Sequence, residues 1–442
     1  MQSQDTIRQD RIRQNTIIAL ATPPGRSGVA VLRISGPAAK DALAALGVPL
    51  PAPRVATLAS LLCPEEIDRA LVLWFPAPAS FTGEDVVELH VHGSRAVISA
   101  LLSYVIGMGG IRLAQPGEFS RRAFLHGKMD LTQAEGLADL IDAETASQRR
   151  QALSALSGHA GKHFEMLRAQ VLTALARLEA WIDFPDEEIP TQTWVLAMQN
   201  IQELCQSIEA LLADSKRGVR IREGVNIVIL GAPNAGKSSL MNALAKREVA
   251  IVSHIAGTTR DVIETHLDIG GVAAILVDTA GIQESKDPIE KEGIRRAKAR
   301  AASADVKLIC VDSASPAKED VQAMVDDHSI LVFTKADIGM QIPAGGIAVS
   351  AHTGQGIDAV VSALQKRLSG LAGGEPPLIT RARHSEALRG ALGHLTSISQ
   401  TLPMELICEE LRRAAEEIGK ITGKIVPDEV LGRIFSEFCI GK

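Results

Sequence analysis

The run Gly231-Ala-Pro-Asn-Ala-Gly-Lys-Ser238 constrains this chain more than any other stretch. It fits G-x-x-x-x-G-K-[ST], a loop whose successive backbone N–H groups point at phosphate oxygens at a helix N-terminus. The required context is present. Val225–Leu230 is apolar and β-branched, as a buried strand should be, and Ser238–Ala245 favours a helix. In such a loop Lys237 reaches the β- and γ-phosphates and the Ser238 hydroxyl holds Mg²⁺. Strands expected at 225–230, 263–269, 272–277, 306–311, 330–334 and 346–350 alternate with helices, which predicts a doubly wound parallel sheet.

Four further segments fall in the order a GTPase needs. Asp278-Thr279-Ala280-Gly281 follows a strand. Asp278 would hold Mg²⁺, through water or directly, and the Gly281 N–H would meet the γ-phosphate. Gly257-Thr-Thr-Arg-Asp261 is the natural switch, with Thr259 closing the Mg²⁺ shell. In Thr334-Lys335-Ala-Asp337, the carboxylate of Asp337 can accept from the guanine N1–H and amino group. Adenine has no such donors there, and an unpaired carboxylate discriminates strongly. Ser350-Ala351 would touch the guanine oxygen. Each segment alone is weak, but five in order point to GTP. The expected nucleotide contacts are Asn234, Ala235, Gly236, Lys237, Ser238 and Ser239, then Ser253, His254, Ile255, Ala256, Gly257, Thr258 and Thr259, then Asp278–Gly281 and the guanine-reading residues. Thr334 stands where Asn is commoner; its shorter side chain lacks the amide, which predicts a modest loss of affinity with guanine preference kept. Charge in the transition state has two candidate sources. One is Arg260 as an arginine finger; the other is a monovalent cation held by Asn234 and backbone carbonyls near Ser253 and Ile255.

The remaining chain of 442 residues leaves room for two or three domains. From Thr16, strands are expected at 16–21, 28–34, 70–75 and 85–91, with helices near 37–46 and 94–108, an α+β unit ending near 128. From Leu131 the period becomes helical: Ala134, Leu137 and Ile141 share one face, and Phe164, Leu167, Val171, Leu175, Leu178 and Ile182 another. Three more stripes begin at Leu388, Ile407 and Leu431. The economical reading is one helical domain, 129–222 and 373–442, with the nucleotide domain 223–372 inserted in it and a separate domain at 1–128. Two unconnected helical units are the alternative.

Bulk properties exclude several classes. The net charge of −6 is not that of a polycation, so nucleic acid must be met by local patches. The basic pairs Arg121-Arg122, Arg149-Arg150, Lys216-Arg217 and Arg412-Arg413 offer such patches, though each alone is an ordinary solvated pair. Five scattered cysteines, 63, 205, 310, 408 and 439, form no C-x-x-C pair and predict a reducing compartment. No apolar run approaches the ~20 residues that span a bilayer, and the start has no secretory h-region, so a cytoplasmic protein without membrane association is expected. His90 and His92 share a strand face but show no close carboxylate or Cys partner, which argues against zinc. Asp186-Glu-Glu188 reads as a helix N-terminal charge cluster.

At the level of motifs the chain resembles the MnmE (TrmE) family of tRNA-modification GTPases over nearly its whole length. Thr22-Pro-Pro-Gly-Arg26 with Leu32-Arg-Ile-Ser-Gly36, Phe81-Thr-Gly-Glu-Asp85, Pro116-Gly-Glu-Phe-Ser120 and Asp183–Glu188 carry the likeness, as do Ile255–Asp261 and, most specifically, Leu431–Ser436 with Phe438-Cys-Ile-Gly-Lys442. The resemblance implies a tetrahydrofolate-binding-like N-terminal domain that also dimerises the protein, a helical bundle, and an inserted α/β Ras-like P-loop G domain. It implies activation by G-domain pairing with K⁺, held by Asn234, Ser253, Ile255 and Thr258, and a catalytic Glu290 that orients water. Arg33, Glu88, Lys128 and Lys442 match contacts to a one-carbon tetrahydrofolate in its 5-formyl or methylene form, and Cys439 matches a thiol tied to tRNA modification. The family pairs with an FAD-dependent partner, MnmG, in a heterotetramer that modifies carbon 5 of the tRNA wobble uridine with an aminomethyl or carboxymethylaminomethyl group. Departures are a longer N-terminal arm, Thr334, and a short helical segment after 384. A ribosome-assembly GTPase is the rival reading; it would need a basic RNA-binding appendage.

Overall fold

The computed structural model describes residues 15–183, 191–232, 234–247, 249–250, 264–278, 304–314, 325–338, 345–399, 401–436 and 438–441. They fall into two compact units. One takes the described residues up to Ala138 together with those from Gly419 on, and the other is Asp139–Ile418.

The first unit opens with β1 (Thr16–Leu20), β2 (Ser27–Ser35), α1 (Ala39–Ala45), β3 (Thr57–Cys63), β4 (Glu65–Phe75), β5 (Val86–Gly93), α2 (Arg95–Gly107), β6 (Ile111–Leu113), α3 (Glu118–Leu125) and α4 (Leu131–Ile141). The sheet order is β3-β4-β5-β2-β1-β6, antiparallel except for the β1–β6 pair. Alternation explains which face is buried: Leu32 and Ile34 of β2, Leu89 of β5, and Leu101 and Val105 of α2 close one core. Ser94 caps α2 by accepting from the Val97 N–H at 3.3 Å. Two strands escape the sequence reading. β6 has only three residues, and β3 is an edge strand with Leu58 61% and Leu62 40% exposed, so neither shows a clean period.

The second unit starts its helices with α5 (Ala146–Leu156), capped by a reciprocal box in which Thr145 Oγ1 accepts from the Gln148 N–H and Gln148 Oε1 accepts from the Thr145 N–H. α6 (His159–Asp183) and α7 (Thr191–Glu223) follow. On α6 the expected stripe is buried from Phe164 to Leu178, but Ile182 is 37% exposed. On α4, Ile141 likewise emerges at 39%. Then come β7 (Val225–Gly231), α8 (Lys237–Arg247), β8 (Val249–Ala250), β9 (Glu264–Ile269), β10 (Val272–Asp278), β11 (Val306–Asp312), β12 (Ser329–Thr334), β13 (Ile347–Ala348) and α9 (Ile357–Ala372). The sheet order is β13-β12-β11-β7-β10-β9-β8, parallel from β13 to β10 and antiparallel at β9 and β8. Strands buried on both faces read as continuous apolar runs, as Ile227–Ile229 and Leu308–Cys310 do.

The chain returns through α10 (Ala382–Ser397) and α11 (Met404–Thr422). One carboxylate ties both crossings. Asp139 Oδ1 accepts from Arg222 Nε at 3.1 Å and from Arg381 Nη2 at 2.7 Å, the first at the end of α7 and the second at the start of α10. Arg220 and the Asn226 N–H both reach Asp305, at 2.7 and 3.1 Å. Gly218 lets the returning chain approach α7; a Cβ there would lie 1.8 Å from the Ile379 carbonyl oxygen. The last helix, α12 (Asp428–Ser436), belongs to the first unit, where Leu431, Ile434, Phe435 and Phe438 pack on Leu131 and Ala134. Among the described residues no helix is long and apolar enough to cross a membrane.

Candidate functional site

The phosphate loop leaves the end of β7, a central strand, and enters α8 at Lys237. Asn234 holds a left-handed backbone, φ 63°, so the chain can turn tightly before the helix. Lys237 is 7% exposed, and its Nζ donates to the carbonyls of Gly231 and Ala232, both at 2.9 Å. That buried ammonium therefore sits over its own loop, where an incoming phosphate can replace the carbonyls. β10 ends at Asp278, in register with Ile229 of β7.

Thr334 ends β12 and is 4% exposed. Its Oγ1 donates to the Ala235 carbonyl at 2.8 Å and approaches the Val311 carbonyl at 3.2 Å. One hydroxyl thus joins the Gly231–Ser238 loop to the Thr334–Asp337 segment. Lys335, φ 56°, pairs through Nζ with Asp312 at 2.6 Å, and this contact holds the Asp312 carboxyl below its usual range. The Ala336 N–H donates to the Val349 carbonyl at 3.1 Å, which brings the 334–337 and 349–352 segments together. A hydrogen bond from the Ser350 side chain keeps the Asp337 carboxyl below its usual range, so it stays an acceptor. A cavity of about 160 Å³ is lined by Ser239, Thr334, Lys335, Asp337, Ser350 and Ala351. Ile338 and His352 also line it and were not anticipated; neither carries a motif letter. Ser253–Thr259, Arg260, Thr279–Gly281 and Glu290 lie outside the described residues, as do the acidic run 186–188 and Lys442.

The first unit carries a second cavity, of about 410 Å³, lined by Arg54, Phe75, Ser80, Phe81, Glu88 and Lys128 among others. Glu88 and Lys128 are brought together there. Arg33 stands behind them: it pairs with Glu88 at 2.9 Å, and its guanidinium lies 5.6 Å from the Phe81 ring and 5.7 Å from the Phe119 ring. Beneath lies a buried ionic scaffold. Arg122, 1% exposed, donates to Glu84 at 3.0 Å and to Glu118 at 3.0 Å; Arg112 also pairs with Glu118. Burial pushes the Glu118 carboxyl up, but the Arg112 hydrogen bonds, the Gln115 N–H and the Arg122 charge outweigh it and hold it below its usual range. The Phe81–Asp85 and Pro116–Ser120 segments are thus joined through one arginine. Against the expectation, His90 and His92 do have carboxylate partners: Glu88, two residues away on the same face of β5, at 3.2 Å, and Asp68, supplied by the neighbouring β4, at 2.7 Å. No group of three or more possible ligands for a metal occurs among the described residues.

Of the cysteines, Cys310 and Cys408 are buried, Cys63 and Cys205 are half-buried with thiols pushed up by burial, and Cys439 is exposed. The Cys439 carbonyl accepts from the Gly117 N–H at 3.4 Å. Gly441, φ 95°, is pressed on β1; a Cβ there would lie 2.2 Å from the Leu20 carbonyl oxygen. Ala19, beside Leu20, is the ladder partner of Arg33.

Comparison with known proteins agrees with this anatomy. A family described as the MnmE helical domain matches residues 131–439, and one described as the GTP-binding protein TrmE N-terminus matches 16–128. A tRNA modification GTPase MnmE of Parvibaculum lavamentivorans is 51% identical, covering 97% of this chain and 100% of the relative. One of Paramagnetospirillum magneticum is 49% identical over 97% of this chain and 99% of its own length. Among solved structures, the G domain of the T. maritima FeoB iron transporter is 25% identical over 34% of this chain and 98% of its own length, with a TM-score of 0.24. The full-length likeness to the curated relatives and the two family matches establish that this chain belongs to the MnmE/TrmE family of tRNA modification GTPases.

Proposed function

We propose that this chain is a K⁺-stimulated GTP hydrolase that works with an FAD-dependent MnmG-type partner to modify carbon 5 of the tRNA wobble uridine. The observation that supports it most is the Thr334 hydroxyl on the Ala235 carbonyl, which joins the phosphate loop to the cavity lined by Asp337 and Ser350. That donor set fits a guanine nucleotide: an ionised acceptor for the base, and a lysine with helix N–H groups for the phosphates. Ser238, Thr259 and Asp278 would hold Mg²⁺, which neutralises phosphate charge. Asn234, Ser253, Ile255 and Thr258 would hold K⁺, which supplies charge where other GTPases place an arginine, and Glu290 would orient the attacking water.

In this reading 1–128 binds a one-carbon tetrahydrofolate and forms the homodimer, 223–372 is the G domain, and 129–222 with 373–442 form the helical domain. The cavity with Glu88 and Lys128 suits the folate, since a carboxylate can accept from a pterin edge and cations can meet glutamate. Cys439 would serve tRNA modification beside that pocket. The test is GTP hydrolysis by the purified chain in KCl against NaCl at matched ionic strength. We expect K⁺ to accelerate it by at least about tenfold, given that a finger arginine adds about 10³–10⁵. Equal slow rates in both salts would remove the cation site, and with it the role of Asn234.

A further inference from the structure

The cavity of the first unit has a cation that no motif singles out. Arg54 is an exposed, non-glycine residue with φ 63°, fixed by its N–H to the Trp74 carbonyl at 2.8 Å. Its guanidinium donates to the Ala79 carbonyl and lies 5.7 Å from the Phe75 ring. Lys128 comes from a distant part of the chain, yet its Nζ donates to the adjacent carbonyl, Pro78, at 2.9 Å. The two cations therefore converge on consecutive residues of one loop. Their partners are neutral carbonyls, and among the described residues neither ends on a carboxylate. The one carboxylate lining the cavity, Glu88, is already matched by Arg33 at 2.9 Å. The rim is thus left with two uncompensated positive charges, while Phe75, Phe81 and the held Glu88 carboxylate complete the lining.

A left-handed arginine costs more backbone energy than glycine or asparagine would at that position. What it adds is a planar donor fork that remains charged at every working pH. The geometry points to Arg54 and Lys128 as a two-pronged clamp for the glutamate end of a bound tetrahydrofolate, which makes Arg54 a specificity residue favouring poly-γ-glutamyl forms. The inference rests on the folate reading of this cavity. A single glutamate offers two carboxylates, and each further γ-linked residue adds one more. Longer tails should therefore gain from the clamp, with a salt dependence set by exposure of the rim.

The test is equilibrium dialysis of the full-length chain against 5-formyltetrahydrofolate as the monoglutamate and as the triglutamate. The unaltered chain should bind the triglutamate more tightly. Arg54→Asn, which suits a left-handed backbone, should weaken the triglutamate by about tenfold and the monoglutamate by less, as expected for losing a rim charge-assisted hydrogen bond. Arg54→Lys should restore part of the difference. Unchanged circular dichroism and melting of both variants would assign the loss to binding. Equal affinity of Arg54→Asn and the unaltered chain for both tail lengths would overturn the clamp while leaving the folate site in place. No binding of either probe to the unaltered chain would overturn both.

Discussion

The two cavities of this molecule solve recognition in opposite ways. The Gly231–Ser238 loop beside the first cavity is made largely of backbone: the carbonyls under Lys237 and the Ala235 carbonyl held by a single hydroxyl. The N-terminal cavity is made of charged side chains, and those are braced by a second set of charges, Glu84, Arg122, Glu118 and Arg112, with Arg122 99% out of solvent. Backbone needs no partner to keep its dipoles aimed. Side-chain charges must be compensated one by one, or burial turns them against the fold. A site of the first kind can be built in a single eight-residue turn. One of the second kind draws on strands and loops from all over its unit.

That contrast is open to attack, and the heaviest blow falls on the brace. Arg122→Ala leaves Glu84 and Glu118 without their shared cation, and breaking a buried pair costs about 3–5 kcal/mol. Urea unfolding followed by Trp74 emission, in a chain whose other two tryptophans, Trp181 and Trp194, are changed to Phe, should show a loss of that size; a change within about 0.5 kcal/mol would mean the brace is ornamental. Next comes Lys237→Ala. GTP hydrolysis should fall by about 10²–10³-fold, as for loss of a charge-stabilising donor, with the melting temperature nearly kept. A thermally collapsed variant would show that the lysine holds the loop up rather than the phosphate.

Thr334→Val is a smaller and sharper probe. It keeps the shape and removes the donor to Ala235, so GDP affinity should drop by about tenfold, whereas Thr334→Ser should stay near the unaltered value. Equal affinities for Val and Ser would detach the phosphate loop from the base-reading segment. The mildest effect is that of pH. The Glu118 carboxyl lies below its ordinary 4.5 in the folded chain, so its contribution is whole above that pH and is lost as pH falls through the folded value. The first unit's melting temperature should therefore hold from pH 7 to near 4.5 and decline below it. A melting temperature unchanged between pH 5 and pH 3 would show that the Glu118 contacts contribute nothing.

The same contrast explains what was legible in the sequence. Gly231 to Ser238 declares itself because glycine spacing, lysine and hydroxyl are fixed by backbone geometry, and the parallel sheet follows from apolar runs such as Ile227–Ile229. Thr334 was legible as a departure but not as a remedy: that its hydroxyl meets Ala235 depends on how closely β12 passes the loop. Arg54 sits alone in a connection of prolines and alanines, and nothing in its neighbours says that the chain turns left-handed there. Glu84 and Glu118 stood inside recognisable segments; Glu118 is one helical turn from Arg122 on α3, but that Glu84 meets the same arginine is visible only once its loop is folded onto α3. Asp68, which faces His92, escaped notice because it is supplied across the sheet, whereas Glu88 stands two residues before His90 on the same strand face and was within reach of the sequence.

The seating of Gly441 on Leu20, with α12 packed against α4, has a consequence in time rather than in space. A ribosome delivers β1 to β6 early, but the segment from Gly419 on, which completes that unit, emerges only after all of Asp139–Ile418. Synthesis at about 5–20 residues per second leaves Leu131 and Ala134 of α4 without their apolar partners on α12 for many seconds, although the sheet's core with α1 and α2 is already complete. Meanwhile the second unit has every strand and helix it needs before the first can close. The contact between α4 and α12 is therefore among the last that the first unit can make.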